Sequence, residues 1–168
     1  GYEIYCDNKN VKYIWDTLFD EGKGLDMLPI GLAARDSLRI EMGYCLYGNE
    51  IDENISPIQA GLRWITKTET NFYGSNLIKK NIENGCKYMI IGIKSEERMI
   101  PRNGDIIFNS DKNEIGKITS GTFSPTLKKP IGLGFILKDK LNYDEEILID
   151  NKRKKFKAKI SSLPFIRS

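Results

Sequence analysis

Length, composition and charge limit what this chain can be. Its 168 residues fit one or two globular domains of roughly 100–200 residues each. It carries 26 basic and 23 acidic residues, and this near balance gives no argument for nucleic-acid binding. The complete absence of histidine excludes His-based catalytic triads, His general bases and His-ligated metals.

The cysteines and the first residues of the chain limit the possibilities less strongly than its charge and composition do. Cys6, Cys45 and Cys86 lie far apart and form no C-x-x-C pair, which favours reduced thiols over a disulfide framework or a zinc site. No stretch approaches the roughly 18 uninterrupted apolar residues of a membrane span, and no signal peptide is recognisable. Because the sequence opens with "GYEIYC" rather than with Met, we expect a piece of a longer protein.

The first third of the chain predicts a short strand followed by helices. Residues 2–6 alternate in polarity, which is typical of a strand. The next segment has an apolar stripe at helical spacing, and we expect this stripe to pack in the core. Its members are Val11, Ile14, Trp15, Leu18 and Phe19. Residues 32–42 predict a second helix.

The middle of the chain predicts two shorter helices and one strand. Ser56 and Gln59 form a capping box that favours a third helix, and the following "RWIT" (63–66) indicates a strand. Apolar residues between 77 and 82 predict a short helix that Gly85 ends.

After residue 86 the pattern changes to short strands joined by turn residues. The polar clusters "NSDKNE" (109–114) and "IDNKRK" (149–154) are typical of hairpin turns. Several short strands with regular turns imply a small β-barrel or sandwich. The basic run at 151–159 alternates with apolar residues, so we interpret it as a strand with a solvated lysine face rather than a nucleic-acid patch.

Four long motifs run in order through almost the whole chain. They are "GLAARDSLRIEMGYCLYGNEIDENISPIQAGLRW" (31–64), "NFYGSNLIKK" (71–80), "IPRNGDIIF…EIGKITSGTFSPTLKKPIGLGFI" (100–136) and "SLPFIRS" (162–168). These motifs resemble the second half of the aminomethyltransferase (T-protein) family of the glycine cleavage system.

The resemblance implies a fold and a division into domains. The fold class is α+β followed by all-β. Residues 1–66 would be part of the family's folate-binding domain, a partial ferredoxin-like unit. Residues 67–85 would be a linker with a short helix, and residues 86–168 a small Greek-key or jelly-roll-like β-barrel.

The resemblance also implies an activity. The complete enzyme takes the aminomethyl group from the lipoyl arm of the H-protein, transfers the one-carbon unit to the co-substrate tetrahydrofolate and releases ammonia, giving 5,10-methylenetetrahydrofolate. The catalytic carboxylate would lie in the missing N-terminal half, so we expect no catalytic residue, no metal and no activity in this fragment alone. The expected partners are the H-protein and the missing half, with neither nucleic acid nor membrane. The compartment would be the cytoplasm in a bacterium or the mitochondrial matrix in a eukaryote.

By resemblance, the folate contacts would be Glu3, Arg35, Trp64 and Arg167. A carboxylate can accept two N–H bonds from a pterin, and a guanidinium can donate two to a carboxylate or carbonyl. An indole suits a flat ring, and a terminal cation suits the folate's glutamate tail. The residues alone leave other roles open. Glu3 could be a surface glutamate and Arg35 part of an ordinary salt bridge. Trp64 could be a core residue, and Arg167 a frayed terminal arginine.

The other polar residues in these motifs are expected to be structural. We assign Asp36 and Arg39 to ion pairing, with Glu41 supporting the same network. The acidic group at 50–53 lacks the spacing of a calcium loop and is interpreted as a turn. The serines of 119–125 are expected to bond loop amides in another turn, because no histidine could activate them as nucleophiles.

Two other folate-binding functions are alternatives. One is the folate domain of a dimethylglycine or sarcosine oxidoreductase, which "LYGNEIDENISP" (46–57) fits less well than it fits a T-protein. The other is a non-enzymatic folate-binding protein of iron–sulfur assembly. The sequence after Cys45 does not have the cysteine, aromatic and glycine arrangement of that family.

Overall fold

The computed structural model describes residues 1–143 and 145–166. They form two compact units. The helical unit is Gly1–Leu32, and the barrel unit begins at Ala33. No helix in the described part of the chain has both the length and the apolar character needed to cross a membrane.

The helical unit contains a short 3-10 turn, Asn8–Asn10, and helix α1, Val11–Gly22. The predicted helix is confirmed. The strand predicted at residues 2–6 is wrong, because this segment has no regular structure. A strand needs a neighbour for its N–H and C=O groups, and the described residues of this unit provide none.

The apolar stripe of α1 lies at the surface of this unit. Val11 is 50% exposed, Trp15 55% and Leu18 43%, while Ile14 and Phe19 are half-buried. Two of the aromatic rings, Trp15 and Phe19, pack on each other with centroids 4.9 Å apart. The expectation that the stripe lies in the core is therefore wrong for the described chain, although its helical spacing is correct.

Two more predicted helices are confirmed, and a third is not formed. Helix α2 is Leu32–Glu41, and helix α3 is Ser75–Asn84, followed by Gly85 at φ +76°. Between residues 56 and 66 the chain makes successive turns, so the helix and the strand predicted there are wrong.

The turn at residues 56–66 has a local cause. Ser56 does act as a cap, since its Oγ accepts the N–H of Ile58 at 3.1 Å and of Gln59 at 3.4 Å. Gly61 then adopts φ +75°, in the left-handed region that a helix cannot continue through. The chain turns again, and Thr66 Oγ1 donates to the carbonyl of Leu62 at 2.7 Å.

Six antiparallel strands close into a barrel in the order β1-β4-β3-β2-β5-β6. They are β1 Tyr88–Ser95, β2 Ile106–Phe108, β3 Glu114–Ser124, β4 Lys129–Leu137, β5 Glu146–Asp150 and β6 Lys155–Ser161. Strands β2, β3 and β4 are consecutive neighbours in the barrel. The strand that precedes them in the chain, β1, pairs with β4 rather than with β2, which is a Greek-key arrangement. The predicted Greek-key barrel is confirmed.

The barrel core follows from the alternation along its strands. In β6, Phe156, Ala158 and Ile160 are at most 1% exposed and face the interior. The three lysines that alternate with them face outward and pair with carboxylates: Lys155 with Asp150, Lys157 with Glu146 and Lys159 with Glu96. This pattern confirms the solvated lysine face.

Close backbone approach explains one glycine of the barrel. A Cβ on Gly121 in β3 would lie 1.8 Å from the carbonyl oxygen of Pro101, so only glycine fits there. Helix α2 packs on the same barrel through Ile40, which is fully buried against Ile131, Leu133 and Phe165. The barrel and α2 therefore share one apolar contact surface.

Candidate functional site

A buried ion-pair cluster ties α2 to the barrel. The Arg39 guanidinium donates from Nε to Asp36 Oδ1 at 2.7 Å, from Nη1 to Glu50 Oε2 at 2.9 Å and from Nη2 to Ser120 Oγ at 2.9 Å. The Arg39 side chain is 9% exposed, and Glu50 is fully buried. The predicted pairing of Asp36 with Arg39 is confirmed, and its purpose is structural.

Glu50 lies in a turn, where its N–H donates to the carbonyl oxygen of Leu46 at 3.1 Å, and its side chain joins this cluster. Its carboxylate also accepts the N–H of Leu46 at 3.0 Å, Thr119 Oγ1 at 2.5 Å and Ser120 Oγ at 2.6 Å. Asp52 is separate, because its Oδ1 accepts two backbone N–H groups of its own turn. The interpretation of 50–53 as a structural turn is therefore confirmed, and the additional bonds from Glu50 to Arg39 and β3 were not predicted.

Glu41 does not join the Arg39 network, and that expectation is wrong. Its carboxylate is 3% exposed and accepts hydrogen bonds from Ser124 Oγ and from Thr126, with the Thr126 N–H at 3.3 Å and Oγ1 at 3.1 Å. Residues two apart on a helix face different directions, which separates Glu41 from Arg39. Ser120 and Ser124 lie in β3 rather than in a turn, and both donate to carboxylates. The expected bond to a loop amide is confirmed for Ser124, whose Oγ accepts the N–H of Leu127 at 2.9 Å.

A cavity of about 640 Å³ opens in the barrel unit. It lies between the segment after α2, the turns at 60–65, strand β1 and the C-terminal segment. Its lining residues are Met42, Gly43, Tyr44, Cys45, Ile51, Ala60, Gly61, Leu62, Trp64, Ile65, Ile90, Ile91, Tyr143, Ser161, Leu163 and Pro164. None of these residues carries a charge, so the cavity suits a flat or elongated uncharged group.

The one thiol of the cavity is not a nucleophile at neutral pH. Cys45 is half-buried, and its Sγ donates to the carbonyl oxygen of Ala60 at 3.4 Å. Burial, followed by the nearby Glu50 carboxylate, raises the pKa of Cys45 to about 11, so the thiol stays protonated. Within residues 1–143 and 145–166, no group of three or more His, Cys, Asp or Glu side chains is placed to hold a metal ion.

Within the barrel unit, the cavity lining includes one of the proposed folate contacts, Trp64, and not Arg35. Trp64 lines it and is 71% exposed, so its indole forms an open part of the wall. Arg35 lies on the exposed side of α2, outside the cavity lining, and makes no hydrogen bond or ion pair among the described residues. Glu3 is exposed in the helical unit and accepts the Tyr5 hydroxyl at 2.7 Å. Arg167 lies outside the described residues.

Most of the cavity wall has no signature in the local sequence patterns. Tyr44, Cys45, Leu163 and Pro164 come from segments separated by more than a hundred residues, which the fold brings together. The available signals were the short apolar stretches "GYCLYG" (43–48) and "SLPF" (162–165), which belong to neither a helix nor a strand.

Comparisons with known proteins agree along the whole chain. The model of the GCVT N-terminal domain matches residues 1–70, and the model of the glycine cleavage T-protein C-terminal barrel domain matches residues 88–166. Aminomethyltransferases of Flavobacterium psychrophilum and Halothermothrix orenii are 42% and 41% identical to this chain over 167 residues. Each of these matches covers 99% of this chain and 46% of the relative.

A solved structure matches as well. The crystal structure of glycine cleavage system aminomethyltransferase T from Bartonella henselae has a TM-score of 0.81 and 31% identity, covering 94% of this chain and 44% of that one. The chain thus spans about half the length of the relatives it matches. With two successive domain models and a structural match over 94% of its length, the chain belongs to the glycine cleavage T-protein (aminomethyltransferase) family.

Proposed function

We propose that this chain is the C-terminal half of an aminomethyltransferase. The complete enzyme would transfer the one-carbon unit of an aminomethyl-lipoyl H-protein to tetrahydrofolate and release ammonia. The observation that carries this proposal is the ordered match of both family domains across nearly the whole chain. The two alternative folate-binding functions are not favoured, because the relatives reported above are named aminomethyltransferases.

The exposed apolar stripe of α1 supports the proposal that another part of the enzyme packs against this helix. Val11, Trp15 and Leu18 present apolar surface that a folded enzyme would normally bury. We propose that the N-terminal half covers this stripe and supplies the catalytic carboxylate. The domain boundaries 1–66, 67–85 and 86–168 are part of the same proposal.

This chain's role would be to bind and orient tetrahydrofolate. The Arg35 guanidinium, which has no side-chain partner within residues 1–143 and 145–166, can donate two parallel bonds, and Glu3 offers a carboxylate for a pterin's N–H groups. Trp64 would provide a flat apolar wall, and Arg167 would neutralise the glutamate tail. Holding the folate amine against the lipoyl-bound carbon lowers the entropic part of the barrier.

The test is folate binding by an assembled enzyme, which we define as this chain co-expressed with the N-terminal half of an aminomethyltransferase. Arg35→Ala should weaken tetrahydrofolate binding by roughly 1.5–3 kcal/mol, the range of a charged hydrogen bond. Glu3→Gln should also weaken it while the melting temperature stays constant. Isothermal titration calorimetry measures both affinities.

Two matched controls separate binding from general charge effects. Arg98→Ala and Glu21→Gln remove exposed charges of the same kind in the same two units, and both should leave the affinity unchanged. If Arg35→Ala or Glu3→Gln behaves like its control, that residue is not a folate contact. If the melting temperature falls without any loss of affinity, the residue has a structural role instead.

A further inference from the structure

A short C-terminal segment, Leu163–Phe165, forms part of the cavity wall. Leu163 and Pro164 line the cavity, and Phe165 is 8% exposed in the apolar cluster under α2. The Phe165 N–H donates to the carbonyl oxygen of Glu41 at 3.0 Å. The segment is thus anchored to the end of α2 on one side and packed against the barrel on the other.

Two glycines leave the space that Leu163 occupies. Gly43, just after α2, adopts φ +68°, and a Cβ there would lie 3.0 Å from Leu163 Cβ. Gly92 is in β1, where a Cβ would lie 2.9 Å from Leu163 Cδ2 and 2.9 Å from Phe165 Cε1. Close-packed interiors do not absorb such overlaps without movement, so a methyl group at either position must push the Leu163 side chain aside, and at Gly92 also the Phe165 ring.

We propose that Gly43 and Gly92 are positioning residues for the folate site. Through Leu163 they set the position of one wall of the charge-free cavity. Trp64, the proposed wall for the folate ring, lines the same cavity, so the wall that Leu163 forms sets the affinity for the ring system of tetrahydrofolate. Gly43 also lines the cavity itself, whereas Gly92 is not in the lining and acts through Leu163 and Phe165. The inference rests on the proposed function, because that function supplies the ligand.

The test compares each glycine with a matched control in the assembled enzyme. Gly48 has φ +89° with nothing within 4 Å of its Cβ position, so Gly48→Ala shares the backbone strain of Gly43→Ala without the contact to Leu163. Gly24 likewise has nothing within 4 Å and no left-handed φ, which makes Gly24→Ala the control for Gly92→Ala. Steady-state kinetics gives KM for tetrahydrofolate and kcat separately.

Gly43→Ala and Gly92→Ala should each raise KM about tenfold while kcat stays within about twofold, as expected for overpacking that costs binding alone. Both controls should leave KM unchanged. Equal KM values in a variant and its control would overturn the proposal.

A measurement without ligand tests the role of the two glycines separately from the proposed function. Amide hydrogen exchange at Phe165 should be about tenfold faster in Gly43→Ala than in Gly48→Ala, since displacement of Leu163 weakens the bond to Glu41. If the unmodified assembled enzyme does not respond to tetrahydrofolate, the proposed function fails. The exchange comparison still decides whether the glycines hold the wall, and equal exchange rates would overturn that claim.

Discussion

The helical unit and the barrel unit use apolar residues in opposite ways. In the barrel, alternate side chains along six strands meet in an interior where Ile93, Ile107 and Ile149 have no exposed surface. In the helical unit, α1 has an equally regular stripe, yet Trp15 is 55% exposed. A closed barrel supplies its own cover, whereas one helix cannot. Periodicity therefore identifies an element but not what packs against it.

The same contrast holds for charges, and Arg39 gives the largest expected effect. Arg39→Ala leaves the fully buried Glu50 carboxylate without its cation, which should lower the free energy of unfolding by about 3–5 kcal/mol. Lys23→Ala removes an exposed partner of Asp20 in the helical unit and should leave stability unchanged. Urea denaturation of both variants measures the difference. Comparable losses of unfolding free energy in the two variants would show that the ion pairs of the two units stabilise the protein equally.

Apolar truncations test the contrast in packing. Ile149→Ala empties a fully buried site in the barrel and should lower the free energy of unfolding by about 2–5 kcal/mol. Leu18→Ala on the exposed stripe of α1 should cost less than about 1 kcal/mol in the chain alone. The midpoints of chemical denaturation give both values. A loss in Leu18→Ala as large as in Ile149→Ala would mean that the stripe is already covered.

The smallest expected difference between the two units is in the reactivity of their thiols. Cys6 is exposed in the helical unit, whereas Cys45 is half-buried with a pKa of about 11. Because the thiolate is the reactive form, iodoacetamide at pH 8 should modify Cys45 at least about tenfold more slowly than Cys6. The Cys45 rate should rise as the pH approaches 11, since deprotonation occurs there. Mass spectrometry of the two peptides measures the rates, and equal rates at pH 8 would contradict the burial of Cys45.

The sequence predicts the elements better than it predicts their surroundings. Local spacing identified α1, α2, α3 and the barrel strands, because each repeat lies within a few residues. It failed at residues 2–6, where a strand lacks a neighbour, and at Gly61, where one left-handed residue diverts a capped turn.

The candidate site shows the same limit. The pairing of Asp36 with Arg39 is local and was predicted. The pairing of Glu50 with Ser120 spans 70 residues and was not. Leu163 reaches the cavity only because the barrel closes and α2 packs on it, which no local pattern contains.

The central claim is that this chain is one half of an aminomethyltransferase. The most direct test measures ammonia release from aminomethylated H-protein in the presence of tetrahydrofolate, with the chain alone, the N-terminal half alone and the two halves assembled. We predict turnover only in the assembled enzyme, because the proposed catalytic carboxylate and the proposed folate contacts lie on different halves. Turnover by the chain alone, or none by the properly assembled halves, would contradict the account.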